Sequence, residues 1–545
     1  MILSESPFVR HFDTNYVPSD AEVLQIRSLL SGPEDAVARL DVEIEGMESA
    51  LTQLKERRKT LMKPITAHRV LISPLRRTPD DVLFEIFSTC LPVTHNALID
   101  PAEAPLLLGR ICRRWRAVAY STPALWTSIH IPASQDHLGS DYLSGLGKAI
   151  EAWFQRSAHC PLSVSLVFPS VPAGSHLNAV VEKLISKLCS VSQRLRHLTL
   201  SGPRDRQLIL SGPPARQLSF ILTTLGADHL SLLQSITVSC QNGDCVFSDP
   251  AAMAILGLPT LKNISLRVTE STSPLTFPIQ WQQLVRLKID CAAVRTMQGQ
   301  ASWGFDTKDA IELLQRCPNL VWCHLRLFQV GHGDLEKELT PTPIHLPHIH
   351  ELIWIGLSSV QWVKGLVAPK LRYFHVGTPH MLGPVVQAEA TATGLTVAID
   401  SNAITTSGFQ TLLQCFTDVS VLCLWEPSGF GSTVISFSPT WSYLSQDLDD
   451  SLLILTDDLC PVLTHLTVRS DTFPFSNRGV LQFIKARVSK GTPLREIQVP
   501  IRRKMEVGGE VDIMPELEPL IRDGLQVTLQ YRPLLKFDSR HGLRF

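Results

Sequence analysis

His345, His348 and His350 fall within six residues, a density that would suit a metal ion if an acid or a cysteine stood at ligand spacing. None does, and the three occupy the approach to a strand, where successive side chains point to opposite faces. Cys240 and Cys245 bracket Gln241-Asn242-Gly243-Asp244; without a second pair at matching spacing they read as two thiols on a turn. Gly429-Phe430-Gly431 and Val507-Gly508-Gly509 lack the Lys-Ser/Thr and the strand-to-helix setting of a phosphate loop, and read as turns. Neither a Gly-x-Ser-x-Gly elbow nor a His-Glu-x-x-His pair occurs. The basic clusters Arg113-Arg114-Arg116 and Arg502-Arg503-Lys504 are too short to mark a nucleic-acid surface. The expectation is a non-enzyme with no cofactor and no metal.

The residues that can instead build a protein-binding face lie between 72 and 131. Thr78 can cap a helix, Pro79 fits the first helical position, and Asp80 and Asp81 suit the positive end of the helix dipole. That helix carries Val82, Leu83, Ile86 and Phe87 and stops at Leu91-Pro92. After an insertion at Val93–Glu103, a second helix holds Leu106, Leu107, Leu108, Ile111, Cys112, Trp115 and Val118. Each presents more apolar residues than one stripe needs, so a face is left for a partner.

This pattern resembles the F-box. The family's Leu-Pro-x-Glu opening corresponds to Thr78-Pro79-Asp80-Asp81, its Ile-Phe pair to Ile86-Phe87, and its Val-Cys-Arg-x-Trp signature to Ile111-Cys112-Arg113-Arg114-Trp115. The Ser-Thr-Pro-x-Leu-Trp tail at Ser121–Trp126 and the lead-in at 69–77 are similar to F-box-like domains of large fungal families. The resemblance implies a three-helix module that docks onto a Skp-type adaptor, and through it a cullin complex, by Pro79, Leu83, Ile86, Phe87, Ile111, Cys112 and Trp115. Thr78 departs from the family's leucine, removing an apolar contact worth about 1–2 kcal/mol where that leucine is buried.

Upstream, residues 1–34 contain a short helix opening at Pro18-Ser19-Asp20, with Val23, Ile26, Leu29 and Leu30 on one face and a stop at Ser31-Gly32-Pro33. Residues 35–63 form a coiled-coil-like helix introduced by a Ser31–Glu34 capping box and ended by Pro64. Its apolar positions, Val37, Leu40, Ile44, Met47, Leu51, Leu54 and Leu61, keep an a/d heptad in which Arg58 takes one a position. A hairpin with residues 20–30, docking onto the body, and coil-mediated self-association all satisfy this stripe.

Downstream, 132–545 repeats a short apolar strand entered through a Pro-x-Leu-like step. Examples are Pro259–Leu266, Pro318–Leu325, Pro347–Trp354, Pro369–His375, Pro461–Val468 and Pro493–Val499. Leu195–Leu200, Leu233–Val238, Leu284–Ile289 and Val419–Leu424 are strands without the proline. Helix-like stretches such as Asp309–Arg316, Gly408–Phe416 and Arg478–Arg487 lie between them. Alternation at roughly 22–45 residues is the signature of leucine-rich repeats. The expected fold class is α/β: an N-terminal helical coil, the small F-box-like module at 72–131, then an irregular leucine-rich-repeat-like solenoid over 132–545. A different α/β arrangement with the same alternation is the rival.

At 545 residues the chain exceeds what one core supports. A net charge of −1 disfavours nucleic acid or an anionic membrane as partner. No stretch of about 18 apolar residues is present, and the N-terminus lacks a signal-peptide pattern. Twelve scattered cysteines suit reduced thiols in the cytoplasm or nucleus. The one sequon, Asn263-Ile264-Ser265, falls inside an expected strand. The functional expectation is a substrate-recognition subunit of a Skp–cullin–F-box ubiquitin ligase that captures an unidentified protein; the alternative is a scaffold outside any ligase.

Overall fold

The heptad stripe lies on one unbroken helix, α1 (Asp20–Leu71), in the structure, a computed structural model. The structure describes residues 6–132, 140–167, 177–202, 214–239, 247, 249–269, 273–292, 305–327, 343–356, 360–377, 394–400, 406–425, 455, 459–469, 475–491, 494–501 and 513–531. The chain divides into two compact units, Met1–Ile86 and Phe87–Phe545.

In the first unit, α1 begins where the sequence places it. The Ser19 N–H donates to Glu22 Oε2 at 2.8 Å, which closes the end of the helix and holds the Glu22 carboxyl below its usual range. The break expected at 31–33 and the stop expected at Pro64 do not occur; both prolines sit inside the helix. An interior proline removes one hydrogen bond and costs about 3 kcal/mol, a local penalty that a helix of 52 residues spans. No capping box forms at Ser31, whose hydroxyl donates to the Ser28 carbonyl at 3.3 Å. α2 (Pro74–Arg77) follows, and α3 (Asp80–Thr89) runs across the boundary between the units.

Among the described residues the second unit is dominated by a parallel sheet of 14 strands. They are β1 (Ser128–Pro132), β2 (Leu162–Val167), β3 (Leu195–Ser201), β4 (Ser235–Ser239) and β5 (Asn263–Thr269). Next come β6 (Arg286–Ala292), β7 (Trp322–Arg326), β8 (Glu351–Ile355), β9 (Tyr373–Gly377) and β10 (Leu395–Asp400). β11 (Val419–Trp425), β12 (His465–Arg469), β13 (Glu496–Ile501) and β14 (Gln526–Tyr531) complete it. Each strand pairs only with its predecessor and successor in this series.

Register explains the sequence pattern. One row crosses the sheet from Ile129 through Val164, Leu198 and Ile236 to Ile497 and Val527, apolar at every strand. Because strand side chains alternate, this row and its neighbours two residues on make one continuous face, buried from Ile129 to Ile497 along the row itself and half-buried at Val527. The Pro-x-Leu step has a matching role: Leu261, Leu320, Ile349, Leu371, Leu463 and Leu494 are all buried just before their strands. Backbone bonds link the same place in successive units, as in Lys262 N–H to Gln234 O (2.9 Å) and Val285 N–H to Lys262 O (2.8 Å).

The connecting helices include α4 (Leu108–Ile111), α5 (Arg113–Ser121), α6 (Ser140–Arg156), α7 (Leu177–Cys189), α8 (Pro214–Leu225) and α9 (Pro250–Ala254). α10 (Thr307–Arg316), α11 (Thr406–Cys415), α12 (Asn477–Ser489) and α13 (Met514–Arg522) serve the later strands. α6 packs on α7, α7 on α8 and α8 on α9, so these helices stack in the order of their strands. α10 is capped by Asp306, which accepts from the Asp309 N–H, and buries Ala310, Ile311, Leu313 and Leu314 as one stripe.

Candidate protein-interaction site

The residues matched to the F-box resemblance differ sharply in exposure. On α3, Leu83 and Phe87 each have 0% of their surface exposed. Pro79 is exposed and Ile86 half-buried.

The single second helix expected from the sequence is two helices. Cys112 takes an extended conformation (φ −156°, ψ 169°), ending α4 and capping α5, where its Sγ accepts the Trp115 N–H at 3.4 Å. A cysteine at a cap has weak sequence preference, which is why helical periodicity reads straight through it. The turn places the Trp115 ring 4.9 Å from the Phe87 ring at 59°. Leu107 and Ile111 stay open, at 41% and 54% exposure. Arg116 Nε–H donates to the Gly109 carbonyl at 2.6 Å and ties the two short helices together.

Behind them sits an aromatic stack that the motif did not reveal. Trp126 is fully buried and donates from Nε1 to the Ala119 carbonyl at 2.8 Å. Its ring lies 5.4 Å from Tyr120 and 4.8 Å from Trp153 on α6, both near edge-on. The Arg156 guanidinium lies over Tyr120 (4.2 Å) and Trp126 (4.6 Å). Trp153 and Arg156 lie outside the motif, and no local spacing announced their part in it.

The insertion at Val93–Glu103 joins the module to the sheet. Leu98 bridges to His130 of β1, whose N–H donates to the Ala97 carbonyl at 2.8 Å. Asn96 Oδ1 accepts from Ser128 Oγ (3.0 Å) and Ser163 Oγ (2.8 Å) on β1 and β2. Residues 128–132, which the sequence attaches largely to the module, are the first strand of the sheet.

The second face of the sheet carries the alternate residues. One row on it runs through half-buried His130, Ser165, Thr199, Thr237, Ser265 and Lys288. Farther along this face Ile353, Ile355, Tyr373 and Ala398 are buried together, with Trp322 and Cys423 against them, while His324 and His375 continue the row itself. Burial, with a contribution from the charge of Lys288, lowers His324 to about 4; burial also lowers His375 to about 4. Asp290 is held between Arg267 (3.7 Å) and Arg326 (3.3 Å) on the neighbouring strands.

His345 and His348 are exposed and His350 is half-buried. Among the described residues no group of three His, Cys, Asp or Glu could hold a metal ion, and no helix is long and apolar enough to cross a membrane. Cys240, Cys245, Gly429–Gly431, Arg502–Lys504 and Val507–Gly509 lie outside the described residues. Asn263 opens β5, inside the strand where the sequence places it. Neither a scan against protein-family models nor a search of curated proteins gives a match for this chain.

Proposed function

We propose that the chain is a non-catalytic recognition subunit, in which the helical module docks onto a Skp-type adaptor of a ubiquitin ligase while the sheet holds a protein substrate. The observation that carries this reading is the division of labour inside the Ile111–Trp115 signature. Trp115 packs ring to ring with Phe87, whereas Ile111, with Leu107, presents apolar surface to solvent. An exposed apolar pair, in a signature whose tryptophan is held by ring packing, suits the centre of a protein interface.

The second unit reads, in this proposal, as a leucine-rich-repeat-like solenoid. Its support is that strands are parallel and in chain order, and that α6 to α9 stack in the same order. The polar row from His130 to Lys288 would offer hydrogen-bonding groups to a substrate, and tethering would raise the substrate's effective concentration near the ubiquitin-loaded enzyme.

The test is capture of the full chain by an immobilised Skp-type adaptor. Wild type should be retained, and Ile111→Asp should lose at least about tenfold in affinity, because a charge would be buried at the interface. Its urea midpoint should stay unchanged, since Ile111 is 54% exposed. Wild-type chain that passes through unretained refutes the ligase reading and favours the scaffold alternative. Retention unaltered by Ile111→Asp refutes the docking face.

A further inference from the structure

We infer that α1 pairs with α1 of a second copy of this chain as an antiparallel two-stranded coiled coil centred near residue 49. The need for a partner is physical. α1 buries none of its residues, and its seam residues Val37, Leu40, Ile44, Met47, Leu51, Leu54 and Leu61 are 48–62% exposed. Helices in water draw most of their stability from packing an apolar face, and here that face is uncovered. Seven of the eight seam positions from 37 to 61 are apolar, the eighth being Arg58.

The distribution of charge identifies a second copy as the occupant and sets its direction. Residues 34–48 contain Glu34, Asp35, Asp41, Glu43, Glu45 and Glu48 against the single base Arg39. Residues 55–63 contain Lys55, Arg57, Arg58, Lys59 and Lys63 against the single acid Glu56. One helix is thus acidic in its first half and basic in its second, the complement of itself reversed.

In a parallel pair, Glu43 at a g position would flank Glu48 of the other copy at e, and Arg58 would meet Arg58 in the seam. Reversed about residue 49, Ile44 faces Leu54, Leu51 faces Met47, Val37 faces Leu61, and Arg58 lays its aliphatic stem on Leu40. Asp41 then flanks Lys55, and Glu43 flanks Arg57, each twice by symmetry; Glu48 meets Glu48 only at the centre. The centre also lies midway between Pro33 and Pro64, so the paired stretch of about 45 Å avoids both irregular points.

Sedimentation equilibrium of the full chain at micromolar concentration tests this without any adaptor, so its result is independent of the ligase reading. The mass should be twice 60.5 kDa, and Ile44→Asp combined with Leu51→Asp should return it to 60.5 kDa. Asp41→Lys with Glu43→Lys, which leaves the seam intact, should weaken the dimer at least about tenfold. Adding Lys55→Glu and Arg57→Glu should restore it, because only an antiparallel pair places these groups together. A monomer throughout the concentration range overturns the inference, as does a dimer indifferent to the seam substitutions. Failure of the compensating pair to restore association overturns the antiparallel arrangement.

Discussion

His324 on β7 and His375 on β9 stand in the same row of the sheet, with Ile353 between them. Lys288, Asp290 and Arg326 surround His324, and burial dominates both histidines, whose affinity for protons falls from the ordinary 6.5 to about 4. The unfolded chain therefore binds more protons than the folded one between about pH 6.5 and 4, so stability rises with pH across that window. Their contribution is present above pH 6.5 and lost as the solution is acidified toward 4. Urea midpoints at pH 7 and pH 5 should differ by on the order of 1–2 kcal/mol per histidine in stability. His375→Gln should remove part of that slope; an unchanged slope would show that His375 is not protonated on unfolding. Such a dependence could not be read from the residue type, because burial in the sheet, and not the imidazole itself, sets it.

At the level of elements, periodicity identified strands and helices well and their ends less well. Several β-strands announced themselves because a leucine two residues after proline is buried at their entry, as Leu261, Leu320 and Leu463 are. The start of α1 was legible, but an interior break at Pro33 and a stop at Pro64 were misread because proline is a strong local signal, and local cost alone does not decide a long helix. The α4–α5 corner was hidden for the opposite reason, since Cys112 gives no strong signal at all. Within that corner, Gly109 has a specific reason to lack a side chain. A Cβ there would lie 2.7 Å from Tyr120 Cε1 and 2.9 Å from its hydroxyl. Tyr120 cannot swing away freely, being held edge-on to Trp126 and beneath Arg156. Gly109→Ala should therefore cost about 1–3 kcal/mol in urea unfolding, more than its helix propensity would return. A neutral or stabilising effect would mean the ring relocates. The candidate site was legible in its residues but not in its exposure: Phe87 and Ile111 are both apolar, and only packing separates the buried base from the open surface.

Across the whole molecule, order in the sheet follows order in the chain. Shortening the protein from its C-terminal side should then remove units without opening the remainder. A chain ended after Trp425 would lose β12, β13 and β14 yet keep Trp126 and Trp153 in contact. Its tryptophan emission should remain that of buried rings, with a lower but still cooperative urea transition. Emission shifted to that of solvated indole would show that the last strands support the first. The apolar row that begins at Ile129 and ends at Val527 also bears on synthesis. A ribosome delivers residues in the order in which this row is laid down, so each new strand finds its template already finished and none must wait for a distant partner. Assembly can keep pace with translation, with each new strand added at the growing edge of the sheet.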